Sequence, residues 1–166
     1  MPVEIRLAEP SDEDALAALG RATWTSLTSP APLPGPDWTF FDERTEPEDV
    51  LVALLDGDVA GYVKVGRATP LGASDHVVMI TGFAVDHGYR RRGVGRALLA
   101  AAIEEAKARR AGRVTLRVLG HNEAARRLYE SAGFAVEGIL RGEFFLDGTY
   151  VDDFLMALDL SDANAS

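Results

Sequence analysis

The sequence contains no cysteine and only three histidines. The lack of cysteine excludes disulfide bonds, thiolate metal ligands and a cysteine nucleophile, although it does not identify a cellular compartment. No apolar run approaches the roughly 18 residues of a membrane span, and the chain does not open with a basic and then apolar segment. We therefore expect a soluble, cytoplasmic protein with no membrane partner, and we predict no metal site.

Basic charge is also scarce, since 17 Lys and Arg residues stand against 26 Asp and Glu residues and give a net charge of −9. Nonspecific binding of nucleic acid needs clustered basic charge, so we expect no nucleic-acid partner. The one basic cluster, Arg90 to Arg96, is short and suits a single small polyanion. The length of 166 residues predicts one domain, residues 1–166.

The spacing of apolar residues predicts an α/β fold in which a mixed, mostly antiparallel sheet is flanked by helices. The predicted strands are Val3–Ala8, Val50–Leu55, Val59–Val65, Val77–Val85, Val114–Leu119, Ala135–Leu146 and Thr149–Leu160. One predicted helix begins near Ser11. Three others span Trp38–Arg44, Ala97–Ala111 and Asn122–Ser131. Four prolines between Ser29 and Pro36 predict a surface loop, and the end from Ser161 to Ser166 is expected to fray.

Glycines give more local predictions. The turn Asp56-Gly57-Asp58 joins two apolar runs and predicts a hairpin. The nearly continuous apolar run Val77–Val85 predicts a central strand buried on both faces. Gly82 inside this run indicates a β-bulge or a close approach of another backbone. The alternative is that packing leaves no room for a side chain at this position. Gly112 is expected to end the long helix, and Gly133 to form a left-handed cap.

The segment Arg90-Arg91-Arg92-Gly93-Val94-Gly95-Arg96 lies between a predicted strand and a predicted helix. Glycines let the backbone approach a ligand closely, and the first N–H groups of a helix have no internal partner. With the helix dipole and the arginines, this arrangement suits a pyrophosphate. The segment lacks the pattern of a P-loop, and Leu98 stands where a dinucleotide-binding loop needs its third glycine.

A second element begins at Asn122. Tyr129 lies seven residues later, so two helical turns place the amide and the phenol on one face. They could contact two points of an extended ligand. The alternative interpretation is a helix-capping asparagine and a packed tyrosine.

Taken together, three motifs resemble the GNAT superfamily of N-acetyltransferases. They are Phe83-Ala84-Val85, Arg90-x-x-Gly93-x-Gly95 and the segment from Asn122 to Gly133-Phe134. The resemblance implies the GNAT fold, with acetyl-CoA as co-substrate. The implied cofactor-binding residues are Phe83, Ala84, Val85, Arg90, Arg91, Arg92, Gly93, Val94, Gly95, Arg96, Asn122 and Tyr129. The pantetheine arm would lie along the strand and the pyrophosphate on the amides from Arg91 to Arg96.

The resemblance further implies that an amine attacks the thioester directly. The catalytic residues would be Val85, whose backbone N–H or that of a neighbour beside Gly82 stabilises the oxyanion, and Tyr129, which protonates the CoA sulfur. The expected acceptor is the primary amine of a small molecule, such as an amino acid or a polyamine. The alternatives are a protein N-terminal or lysine acetyltransferase and a noncatalytic acyl-CoA-binding domain. Family members are often dimers, so a homodimer is also expected.

The sequence identifies no general base. Arg117 stands where some relatives carry a glutamate, which argues against the protein-acetylating mechanism. Asp75 and His76 could feed a water chain. The acidic residues near the terminal hairpin could bind a cationic substrate; they are Glu143, Asp147, Asp152 and Asp153. Candidate walls for the acceptor, or ordinary core aromatics, are Trp24, Trp38, Phe40, Phe41 and Tyr150.

Overall fold

The computed structural model describes residues 2–161, so the predicted frayed end lies outside the described residues except for Ser161. The strands are β1 (Glu4–Leu7), β2 (Val50–Leu55), β3 (Asp58–Arg67), β4 (Val77–Val85), β5 (Arg113–Leu119), β6 (Ala135–Leu146) and β7 (Thr149–Asp159). The helices are α1 (Glu13–Ala22), α2 (Val94–Ala108) and α3 (Glu123–Ser131), and single 3₁₀ turns lie at Pro10–Asp12, Pro47–Asp49, Gly72–Ser74 and His87–Tyr89.

The strands form one sheet in the order β1-β2-β3-β4-β5-β7-β6. All neighbouring pairs are antiparallel except β4 and β5, which the long helix α2 connects as parallel strands. The mixed, mostly antiparallel sheet is therefore confirmed. Within residues 2–161, no helix combines the length and apolarity needed to cross a membrane.

The sheet separates two hydrophobic clusters. Alternate residues of β2 point to opposite faces, so Val50 and Val52 pack with α1 whereas Leu51 and Ala53 pack with α2. Helix α2 crosses closely over β3, where a Cβ atom on Gly61 would lie 2.9 Å from Leu98 Cδ1 and 2.7 Å from a backbone oxygen. Because Gly61 has no side chain, the helix can pack this close to the strand.

The predicted helix Trp38–Arg44 is wrong. This segment is an irregular chain with an isolated bridge between Asp42 and Thr45. The Glu13 carboxylate of α1 accepts hydrogen bonds from the backbone N–H of Phe40 at 2.6 Å and of Phe41 at 2.9 Å. These donors are therefore used to fix the segment against α1 instead of forming helical bonds.

The end of α2 is also different from the prediction. Arg110, not Gly112, takes the left-handed conformation, with φ of 63°. The N–H of Ala111 donates to the Ala106 carbonyl at 2.9 Å, which closes the helix in a Schellman-like turn. The N–H of Gly112 instead donates to the His76 carbonyl at 2.7 Å and so joins the helix exit to the start of β4. Gly133 does adopt a positive φ, 101°, as predicted.

Candidate active site

A cleft opens where the two parallel strands at the centre of the sheet separate. β4 and β5 pair only from Val77 and Arg113 to Ile80 and Leu116. Beyond this point β4 continues beside β3, and β5 continues beside β7. The resulting cavity has a volume of about 960 Å³, and residues from both separated strands, α2 and α3 line it.

A β-bulge lies at the point of separation. Lys64 pairs with Gly82 whereas the next residue, Val65, pairs with Ile80, so Thr81 is the extra residue. A Cβ atom on Gly82 would also lie 2.9 Å from Lys64 Cδ, so both interpretations of this glycine hold. The bulge reverses the alternation of β4, because Ile80 belongs to the cluster under α2 whereas Ala84 belongs to the cluster under α1.

This geometry corrects the prediction that β4 is buried on both faces. Thr81 is exposed, and Phe83 and Val85 are only half-buried because they line the cleft. The ladder between β3 and β4 determines where their backbone groups point. The N–H of Asp86 donates to the Ala60 carbonyl at 2.8 Å, which makes this a hydrogen-bonded pair.

Because hydrogen-bonded and non-bonded pairs alternate in an antiparallel ladder, the N–H and C=O groups of Ala84 point towards β3. Those of Phe83 and Val85 point the other way, into the cleft. No strand among the described residues pairs with them on that side. Two consecutive sets of strand donors and acceptors are thus available to an extended ligand.

The amides at the start of α2 line the same cleft. Gly93 has a φ of 81° and Arg91 a φ of 64°, so the chain makes a left-handed turn into the helix. The N–H of Ala97 makes the first helical bond, to the Gly93 carbonyl at 3.1 Å. The preceding amides of Val94, Gly95 and Arg96 therefore have no partner within the helix.

Most of the predicted cofactor-binding residues line the cleft: Phe83, Ala84, Val85, Arg90, Arg91, Gly93, Val94, Gly95, Arg96, Asn122 and Tyr129. Arg92 does not. Its guanidinium lies over the ring of Tyr89, 5.6 Å from the ring centroid. Tyr89 itself lines the cleft, so Arg92 lies behind the lining, and its predicted role in cofactor binding stays a prediction.

Asn122 caps α3 and Tyr129 packs in the core, and both residues also line the cleft, so their predicted contacts with an extended ligand stay a prediction. The Oδ1 atom of Asn122 accepts a hydrogen bond from the Ala125 N–H at 3.3 Å and caps α3, while its side chain also lines the cleft. The Tyr129 ring packs edge-on against Phe83 and Phe134, with ring centroids 6.0 Å apart in each pair. Burial raises the pKa of Tyr129 to about 12. Its hydroxyl has no hydrogen-bond partner among the described residues.

Lys64, which the sequence analysis missed, lies at the end of the cleft nearest α1. Its ammonium is 4.2 Å from the centroid of the Phe40 ring and within 6.0 Å of those of Trp38 and Tyr62. Burial lowers the pKa of Lys64, while the charges of Asp42 and Glu13 oppose that shift. A single charged residue between the buried Val63 and Val65 was the signal that could have found it.

The predicted aromatic walls divide into three groups. Trp24 and Trp38 line the cleft. Phe40 is 1% exposed and belongs to the core, and Phe41 packs against the same cluster. Tyr150 is 74% exposed and lies outside the cleft lining.

The predicted acidic and histidine candidates are not among the cleft-lining residues. Asp75 pairs with Arg67, and the His76 carbonyl binds the exit of α2. In the terminal hairpin, Asp152 pairs with Arg141, Asp153 pairs with Arg117, and Asp147 accepts a hydrogen bond from Ser26, while Glu143 is exposed. Of the residues 2–161, no Asp, Glu or His lines the cavity, so none of the predicted carboxylate or imidazole bases is placed in the cleft.

The sequence profile described as the acetyltransferase (GNAT) family matches residues 16–134, which include both the cleft and the turn into α2. The chain belongs to the GNAT acetyltransferase family. It is therefore an enzyme with N-acetyltransferase activity of the GNAT type.

Three similar proteins place this GNAT acetyltransferase among its relatives. The L-amino acid N-acetyltransferase AaaT of Escherichia coli K12 is 31% identical over 93% of this chain and 96% of its own length. The N-alpha-acetyltransferase RimI of Mycobacterium tuberculosis is 32% identical over 78% of each chain. The solved structure of yncA from Salmonella typhimurium with its cofactor acetyl-CoA has the same fold, with a TM-score of 0.78 and 22% identity over 96% of this chain and 95% of that one.

Proposed function

We propose that this enzyme transfers the acetyl group of acetyl-CoA to the primary amine of a small molecule. The observation that carries the proposal is a row of backbone amides along one cleft that have no strand or helix partner among residues 2–161. The row includes Val94 to Arg96 at the start of α2 and Phe83 and Val85 in β4. Acetyl-CoA is the cofactor of the similarly folded yncA, and AaaT, which matches almost the whole chain, acts on amino acids.

In this proposal the two sets of amides hold different parts of the cofactor. The N–H groups at the start of α2 bind the pyrophosphate, and Arg90, Arg91 and Arg96 add positive charge around it. The pantetheine arm lies along β4 and bonds Phe83 and Val85 as an added strand would. The free amide nitrogen of Asn122 donates to the same arm.

The reaction then follows from what the cleft presents to the thioester. The amine nitrogen forms a bond to the acetyl carbon, and the carbonyl oxygen becomes an oxyanion. The N–H of Val85, or of Phe83 beside the bulge, stabilises that oxyanion. As the C–S bond breaks, Tyr129 gives its hydroxyl proton to the sulfur and is reprotonated by the proton that the new amide nitrogen loses.

The state of Tyr129 fits that role. With a pKa raised to about 12, the phenol carries its proton at neutral pH, which is the form that a proton donor needs. The amine must arrive without its proton. Because no Asp, Glu or His of the described residues lines the cleft, we propose that burial and nearby positive charge lower the pKa of the bound amine and that its proton leaves to water.

The test is an assay of CoA-thiol release with acetyl-CoA and separate amino acids, polyamines, aminoglycosides and peptides. We expect release with at least one small amine and the acetylated amine as the second product, detected by mass spectrometry. Release with peptides alone would overturn the small-molecule acceptor. No release with any amine, despite binding of acetyl-CoA, would overturn the proposed activity.

A second candidate is acetylation of a protein N-terminus. The similarity to RimI, named an N-alpha-acetyltransferase, favours it. Arg117 argues against this candidate, because an arginine cannot act as a base at neutral pH and this one is paired with the buried carboxylate of Asp153. The peptides in the assay distinguish the two candidates.

A further inference from the structure

The end of the cleft nearest α1, where we place the acceptor, contains a positive charge that no carboxylate of residues 2–161 contacts directly, although Asp42 and Glu13 act on it from beyond salt-bridge distance. Among the described residues Lys64 forms no salt bridge, whereas Arg117, the other cation at this end, is held by Asp153 at 2.5 Å. The Lys64 ammonium has aromatic ring faces as its neighbours, at 4.2 Å for Phe40. Such faces compensate a cation only in part, which leaves the ammonium able to bind an anion.

The charge of the cleft as a whole points the same way. The chain has 26 acidic residues, yet none of the described ones lines the cavity, where the charged side chains are arginines and Lys64. An acceptor with several positive charges, such as a polyamine or an aminoglycoside, would find no carboxylate there. An acceptor that carries one negative group could form an ion pair with the Lys64 ammonium.

Lys64 is also close to the proposed site of reaction. Its stem crosses Gly82, because a Cβ atom on that glycine would lie 2.9 Å from Lys64 Cδ and 3.1 Å from Cγ. The next residue, Phe83, directs its N–H into the cleft. The stem of Lys64 therefore lies against the residue that precedes a proposed oxyanion donor, which suits the short spacing between the amine and the carboxylate of an α-amino acid.

We propose that Lys64 binds the carboxylate of the acceptor and so selects α-amino acids as substrates. This inference rests on the proposed function. The aromatic pair Trp24 and Trp38, whose ring centroids are 6.3 Å apart, and Leu27 form an apolar wall at the same end and receive the acceptor's side chain. The carboxylate in turn favours the charged ammonium, since an opposite charge raises a lysine pKa.

The experiment compares each amino acid with the amine that lacks only its carboxylate. The probes are L-methionine with 3-(methylthio)propylamine, L-phenylalanine with phenethylamine, and L-tryptophan with tryptamine. For at least one pair we expect kcat/KM of the wild-type enzyme to favour the amino acid by roughly 10- to 100-fold, as a hydrogen bond to a charged group supplies. Spermidine and a peptide are included as acceptors of other classes.

Lys64→Met keeps most of the apolar stem over Gly82 and removes the charge. We expect it to lose most of the preference for the amino acid, mainly through a higher KM, and Lys64→Arg to retain part of it. Lys107 is the only other lysine of the chain and lies on α2, paired with Glu104, so Lys107→Met is the matched control and should keep the wild-type preference.

A wild-type kcat/KM that favours the amino acid in none of the three pairs would overturn the inference without any variant. A preference for the amino acid that is retained in Lys64→Met would also overturn the inference, because another group would then bind the carboxylate. Acetylation of spermidine but of no amino acid would overturn the inference while the proposed small-molecule activity holds. Release of CoA with none of these acceptors would overturn both.

Discussion

The Arg117 guanidinium contacts the carboxylate of Asp153 through two nitrogens, each 2.5 Å from the same oxygen. The two residues lie on neighbouring strands, β5 and β7, and the Asp153 residue is 2% exposed whereas the Arg117 side chain is 46% exposed. The pair fixes β5 to β7 at the point where β5 has separated from β4. It thus supports one wall of the cleft.

Removing the cation leaves a buried carboxylate without its counter-charge. We expect Arg117→Gln to lower the free energy of unfolding by roughly 2–3 kcal/mol, below the usual cost for a fully buried pair because the arginine is half-exposed. Urea denaturation measures the change. The control residue Arg113 also lies on β5; Arg113→Gln breaks only a surface pair with Glu137 of β6 and should cost less than about 1 kcal/mol. Equal stability of the two variants would contradict the assigned role of the pair.

The turn into α2 should be sensitive to added negative charge. Gly93→Glu and Gly95→Glu place a carboxylate beside the proposed pyrophosphate, so we expect the Kd for acetyl-CoA to rise at least tenfold, as measured by calorimetric titration. Gly93→Asn is the control, because asparagine tolerates the φ of 81° and adds no charge. Unchanged affinity in both glutamate variants would show that the pyrophosphate binds elsewhere.

Tyr129→Phe removes the proposed proton donor and keeps the ring that packs against Phe83 and Phe134. We expect kcat to fall by about 10²- to 10⁴-fold while the Kd for acetyl-CoA stays within about twofold. Steady-state kinetics and a separate binding titration distinguish the two effects. Tyr150→Phe, at an exposed ring outside the cleft, should leave both values unchanged. If kcat survives in Tyr129→Phe, the phenol takes no part in the chemistry.

Alkaline pH should destabilise the protein through two buried tyrosines. Burial raises the pKa of Tyr62 and of Tyr129 to about 12 in the folded state, whereas an unfolded tyrosine has a pKa of about 10. The resulting stabilisation is complete below pH 10 and is lost as the pH rises towards 12, because the unfolded state gives up its protons first. The slope should reach at most about 1.4 kcal/mol per pH unit for each tyrosine.

Urea midpoints from pH 8 to pH 11.5 measure this loss. The double variant Tyr62→Phe and Tyr129→Phe should show a shallower decline over the upper part of that range, and Tyr150→Phe should decline as the wild type does. A decline of the same steepness in the double variant would mean that other groups cause the alkaline loss.

The sequence predicted the motifs but not every structure that surrounds them. The turn Asp56-Gly57-Asp58, the bulge at Gly82 and the cap at Gly133 follow from local backbone preferences, which the residue types carry with them. The helix expected at Trp38–Arg44 and the helix end expected at Gly112 were wrong. In both places a distant group, the Glu13 carboxylate or the His76 carbonyl, takes the backbone N–H bonds that the local pattern assigned otherwise.

By itself, the sequence determined the order of the strands and of the helices α1, α2 and α3, the free amides at the start of α2 and the helical alignment of Asn122 with Tyr129. These properties depend on neighbours within about two helical turns. Only the tertiary structure decided that β4 and β5 separate after Ile80 and Leu116, that the amides of Phe83 and Val85 face the gap, and that Lys64 lies beside it. Strand pairing joins residues far apart in the chain, so register, separation and the charge of the cleft arise only when the sheet is assembled.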